Sequence, residues 1–110
     1  MSYERIQTGG GVRTADNVME DERVRVAKPS MYRVILVNDD YTPMEFVVHV
    51  LEKVFHKCSE EAHRIMLQVH HNGRGLCGVY PFEIAESRSF RVMDWARRCQ
   101  HPLRCYVERD

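Results

Sequence analysis

The sequence has no apolar run of about 18 residues and no basic start leading into an apolar segment, so the marks of a spanning helix and of a secretory signal are both missing. A cytoplasmic setting is the resulting expectation. There is no excess of either charge, with 16 Lys and Arg against 16 Asp and Glu. Without a net field, general attraction to nucleic acid or to an anionic membrane drops out, and a partner has to be recognised locally. The 4 cysteines, Cys58, Cys77, Cys99 and Cys105, include no C-x-x-C pair and no other zinc-ligand spacing, which leaves reduced structural thiols. There is no G-x-S-x-G elbow and no phosphate-cradling glycine loop, since Gly73-Arg74-Gly75 is too short and falls between a helix and a strand.

One regularity invites a metal reading, because His49, His56, His63 and His70 recur every 7 residues. Seven residues of helix rise about 10 Å, too far for neighbours in the series to share one ion. A helix break near Cys58 destroys the register as well. No metal or other cofactor is expected.

The 110 residues suit one domain. Residues 1–28 carry a Gly-Gly-Gly run, scattered charge and few large apolar side chains, the pattern of a flexible extension; residues 29–110 are the folded domain. Within it Val34-Ile35-Leu36-Val37 is short, continuous and mostly β-branched, which predicts a strand covered on both faces. Thr42-Pro43-Met44-Glu45 reads as a helix start, with threonine at the cap, proline at the first position and glutamate completing a capping box. Phe46, Val47, Val50, Leu51, Val54 and Phe55 then follow at helical spacing. Ser59 is placed to cap a second helix with Ala62, Ile65, Met66 and Val69 on one face, ended by Asn72-Gly73, so that the two helices form a hairpin.

Leu76 to Tyr80 reads as a strand, Phe82 to Arg98 as a third helix, and Leu103 to Glu108 as a final strand with alternating apolar positions. The order β-α-α-β-α-β predicts an α+β domain, a small antiparallel sheet packed against three helices.

Asn38, Asp39 and Asp40 follow the first strand directly. Asn and Asp are common turn residues, and carboxylates near a helix N-terminus are stabilised by its dipole by about 0.3 to 1 kcal/mol each. With Thr42 assigned to the cap, three acceptors exceed what the helix start requires, and they are suited to hold a cation. A magnesium-like ion demands near-octahedral oxygen ligands that have no further pattern here. An ammonium group donates hydrogen bonds that Asn and Asp oxygens accept. A hydrolase built on Asp39, Asp40 and His70 is one rival reading; an interaction module indifferent to peptide termini is another. On the third helix, Arg88, Arg91, Arg97 and Arg98 interleave with Glu83, Glu86 and Asp94, as on a solvated face.

At "MYRVILVNDDYTPMEFVVHVL", "IMLQVHHNGRGLCGVYPFEIAESR" and "HPLRCYVE" the chain resembles the bacterial ClpS family, in three blocks spanning Ser30 to Glu108. The resemblance implies a non-enzymatic adaptor that binds proteins with a destabilising N-terminal Leu, Phe, Tyr or Trp. It hands them to the ClpA unfoldase of the ClpAP protease. By the same resemblance Asn38, Asp39, Asp40 and His70 surround the substrate's α-amino group, with Asn38 and Asp40 as direct partners and Asp39 supporting. Thr42, Met44, Val47, Met66, Val69 and Leu103 line the pocket for its first side chain, Met44 acting as a gate against β-branched residues. Glu83 and Arg88 fall on the contact with the unfoldase's N-terminal domain. Three features depart from the family pattern: Arg88 stands where lysine is frequent, His71 where an aromatic is, and Pro81-Phe82 at the third helix start. A monomer is the default oligomeric expectation.

Overall fold

The computed structural model describes residues 28–110. The expected flexible extension lies outside the described residues. The elements are β1 (Met31–Val37), α1 (Met44–Lys53), α2 (Ser59–Asn72), β2 (Arg74–Pro81), α3 (Phe82–Arg98) and β3 (Arg104–Arg109), the α+β order read from the sequence. The strands form one antiparallel sheet in the order β2-β1-β3. The most apolar strand therefore takes the centre.

Period-2 alternation sends Val34 and Leu36 of β1 to the helical side, where both are 0% exposed among Phe46, Val50, Leu51, Ile65, Val69 and Val92. Ile35 points the other way. It is 4% exposed although no helix among the described residues covers that face. Leu76 and Tyr106 flank it in register. On the same face the Arg33 guanidinium pairs with Glu108 at 2.7 Å, and Arg74 donates to the Tyr106 hydroxyl. The strand is thus covered on both faces, but by helices on one and by long side chains on the other.

Two helix starts differ from the sequence reading. Pro43, extended at ψ 143°, holds the cap position of α1, and its carbonyl accepts from the Phe46 and Val47 N–H groups. Thr42 does not cap the helix, because its hydroxyl and its N–H both donate to Asp39. Cys58 holds the cap position of α2 and Ser59 is its first residue, with Glu60 and Glu61 in the first turn. Neither cap residue makes a side-chain bond, so packing rather than capping fixes both starts.

Between α1 and α2 the chain turns through His56 at φ 56°, and the Lys57 N–H returns to the Leu51 carbonyl. All four cysteines are free. Burial, and then the neighbouring Cys105, push the Cys77 thiol well above its ordinary value; burial raises Cys105 to about 11, so both act as small apolar core residues. Among the described residues no helix is long and apolar enough to cross a membrane.

The sheet and α2 meet closely at Gly75. A Cβ there would stand 2.7 Å from Val69 Cγ2, and Val69 is a stiff β-branched side chain 2% exposed. Gly75→Ala is expected to destabilise the fold by about 1 to 3 kcal/mol in urea denaturation, because the helix has to move away from the strand.

Candidate functional site

The site forms where β1 ends against the end of α2. Gly73 closes α2 in the left-handed region at φ 89°, a conformation that glycine adopts without steric cost. The turn aims the Gly73 carbonyl at β1, and the Asn38 N–H donates to it at 2.9 Å. One backbone bond therefore sets the last turn of α2, with His70, opposite the acceptors that follow β1.

Asp39 organises the connection to α1. Its Oδ1 accepts from the Tyr41 N–H at 2.8 Å and the Thr42 N–H at 2.7 Å, and its Oδ2 accepts from the Thr42 hydroxyl at 2.8 Å. Partial burial raises the Asp39 carboxyl; the Thr42 and Tyr41 N–H groups, the Thr42 hydroxyl and the charge of His101 outweigh it and hold the carboxyl below its ordinary value. Asn38 and Asp40, by contrast, have exposed side chains. The three acceptors thus divide into one that builds the loop and two that face outward from it.

These residues open onto a cavity of about 210 Å³ walled by Asn38, Asp39, Asp40, Thr42, Met44, Val47, Met66, Val69 and His70. Its mouth is polar and its depth apolar: Val47, Met66 and Val69 are at most 8% exposed, whereas Met44 is 45% exposed at the rim. A group entering it meets oxygen acceptors at one end and hydrocarbon at the other. That suits a molecule with an ammonium head beside an apolar side chain. Among the described residues no group of three or more His, Cys, Asp or Glu side chains lies close enough to hold a metal ion.

Nine of the residues expected at the site are brought together. Leu103 is not among these walls; it is 4% exposed and bounds a separate groove with Met93, Arg97, Gln100, His101 and Pro102. His101 is the residue that sequence reasoning missed. Gln100 at φ 60° turns the chain so that the His101 ring meets Phe46 edge-on at 4.6 Å, and its charge bears on Asp39. The only trace in sequence was the His101-Pro102 pair, read there as a helix end.

Glu83 is exposed in the first turn of α3. Arg88 is partly engaged by its own fold, donating to the Val54 carbonyl at 2.8 Å with its guanidinium 5.1 Å from the centre of the Tyr80 ring. Farther along α3, Arg97 and Arg98 both pair with Asp94, at 3.0 and 2.9 Å, as a solvated face does.

Residues 27–106 match the family model described as ATP-dependent Clp protease adaptor protein ClpS. This chain belongs to the ClpS family. It is 54% identical over 107 residues to the ATP-dependent Clp protease adapter protein ClpS of Caulobacter vibrioides strain NA1000, covering 97% of this chain and 98% of that one. Identity to the ClpS of Phenylobacterium zucineum is 56% over 103 residues, covering 94% and 93%. Among solved structures, Agrobacterium tumefaciens ClpS2 bound to L-phenylalaninamide has a TM-score of 0.73 and 35% identity, over 76% of this chain and 100% of that one. The chain is therefore an adaptor of the Clp protease, and the acceptor-lined cavity is a feature of a ClpS fold.

Because the Asp39 carboxyl is held low, its share of stability is fully present above the ordinary carboxylate value of about 3.9 and is lost as pH falls through the lower folded value. Asp39→Asn is expected to lower the melting temperature by a constant gap from pH 7 to about 5. The gap should close between about pH 4 and 2, as followed by circular dichroism.

Proposed function

We propose that this ClpS adaptor selects proteins by a free α-amino group next to a large hydrophobic first residue, namely Leu, Phe, Tyr or Trp. It delivers them to the ClpA unfoldase of ClpAP and performs no chemistry of its own. The single observation that carries the reading is the polarity of the cavity, with Asn38, Asp40 and His70 at the mouth and Val47, Met66 and Val69 behind them. L-phenylalaninamide, the molecule bound by Agrobacterium tumefaciens ClpS2, joins a free α-amino group to a benzyl side chain and supports the same division of labour.

An α-amino group ordinarily titrates at about 7.7 to 8.0 and is largely cationic near neutral pH. Its hydrogen bonds to carboxylate and amide oxygens are worth about 1.5 to 3 kcal/mol each, comparable to the 1.5 to 3 kcal/mol, roughly, from burying a leucine or phenylalanine side chain. Three such bonds and one buried side chain together supply on the order of 6 to 12 kcal/mol, and the loss of translational and rotational freedom on association takes at least about 4 kcal/mol of that, so losing either contribution removes a large share of the net affinity. Selection therefore requires both a charged N-terminus and an apolar first side chain. Asp39 acts through the loop it holds, and Met44 gates the rim, its flexible thioether adapting to flat or branched side chains.

Delivery falls to Glu83 and Arg88 on α3, facing the unfoldase's N-terminal domain. Arg88 brings a planar, partly anchored guanidinium to that contact in place of a mobile ammonium. The adaptor works as a cytoplasmic monomer in this reading, without metal or cofactor.

The test is fluorescence anisotropy with a labelled peptide beginning with Leu and its N-acetylated twin. The free peptide should bind and the acetylated one should not. Asp40→Ala should weaken the free peptide by about 10- to 150-fold, one charged hydrogen bond's worth. Equal binding of both peptides would overturn the reading in favour of a general interaction module, and metal-dependent peptide turnover would point to a hydrolase at Asp39, Asp40 and His70.

Met44→Ala should raise the affinity for an Ile-first peptide relative to the Leu-first one, since the rim then clears a branched β-carbon. An unchanged ratio would remove Met44 from the gate.

A further inference from the structure

Several residues next to the walls of the cavity are apolar and open to water. Tyr41 stands between two of those walls in the chain, Asp40 and Thr42, and is 82% exposed. Met44 at the rim is 45% exposed, and Leu67, one turn before His70 on α2, is 46% exposed. Apolar residues scattered singly over a surface are ordinary, but several of them beside one opening mark a place that is covered on binding.

The backbone holds Tyr41 in place although its side chain lies in water. Its N–H donates to Asp39 Oδ1 at 2.8 Å, and the same oxygen takes the Thr42 N–H at 2.7 Å, so the chain is fixed on both sides of the ring. An exposed side chain contributes little packing to the fold. A tyrosine ring offers a large contact area and has only two side-chain torsions to order, which suits it to recognition.

What meets the ring follows from what the cavity holds. When the α-amino group of a first residue lies among Asn38, Asp40 and His70 and its side chain reaches Val47, Met66 and Val69, the next α-carbon is about 3.8 Å farther along, at the mouth. The second side chain of the bound protein is thereby tethered beside Tyr41, at an effective concentration that a separate molecule in dilute solution does not match. We propose that Tyr41 is a specificity residue for that second position, its ring packing against a large apolar side chain, an aromatic one best. The inference rests on the reading of the cavity as the seat of a free N-terminus, and adds to it a choice that the first residue does not make.

Fluorescence anisotropy on the full chain tests it, with C-terminally labelled peptides that begin Leu-Phe or Leu-Ala and are otherwise identical. The unmodified chain should bind the Leu-Phe peptide about 2- to 10-fold more tightly, the worth of an aromatic pair. Tyr41→Ser should remove the difference by weakening Leu-Phe alone, and Tyr41→Phe should preserve it, because the ring and not the hydroxyl makes the contact. Equal binding of the two peptides by the unmodified chain would overturn the inference, as would a difference that survives Tyr41→Ser. Equal weakening of both peptides by Tyr41→Ser would also overturn it, and would make Tyr41 part of the loop's own structure. In those cases loss of binding on N-acetylation leaves the N-terminal reading standing, whereas indifference to acetylation would overturn both.

Discussion

One backbone hydrogen bond, from the Asn38 N–H to the Gly73 carbonyl, joins the end of the central strand to the end of α2. Gly73 makes the bond possible because it turns out of the helix in the left-handed region. Everything at the site depends on that seam. It sets His70 against the acceptors, it brings Met66 and Val69 under them, and it starts β2 at Arg74 alongside β1. The close approach at Gly75 keeps the same seam tight two residues later.

The loop after β1 shows how similar residues divide their work. Asp39 commits both oxygens to the backbone and hydroxyl of its own loop, which fixes the course of residues 39–42. Asp40 is left with a solvent-facing carboxylate. The Asp39 bonds to Tyr41 and Thr42 thus hold the backbone on which the outward-facing Asp40 stands. Behind the mouth the walls belong to the hydrophobic core itself, since Val47, Met66 and Val69 pack with Leu51 and Ile65. Stability and pocket shape are consequently set by the same side chains.

Periodicity made the elements legible. The Val34–Val37 run, the apolar stripes of the helices and the alternation of Leu103 to Glu108 each mark an element that the structure contains, and α3 matches from end to end. Cap residues were less legible, because Thr42 and Ser59 have the right chemistry for capping but are committed elsewhere or shifted by one position. Most of the pocket followed from the family resemblance, yet composition alone did not distinguish Val47 or Val69 as pocket wall from Val50 as core. His101 was hidden because Phe46, whose ring it meets, and Asp39, on which its charge acts at a distance, lie far from it in the chain and are brought near it only by the fold.

The sequence by itself determined which segments are strand or helix, since side-chain periodicity and turn residues act locally. It also placed a surplus of oxygen acceptors after the central strand. Tertiary structure alone decided which acceptor is free, which apolar residues border a cavity, and that Leu103 faces a different groove. The reason is physical: a carboxylate's role depends on which N–H groups reach it, and a wall exists only where two distant elements fail to close completely.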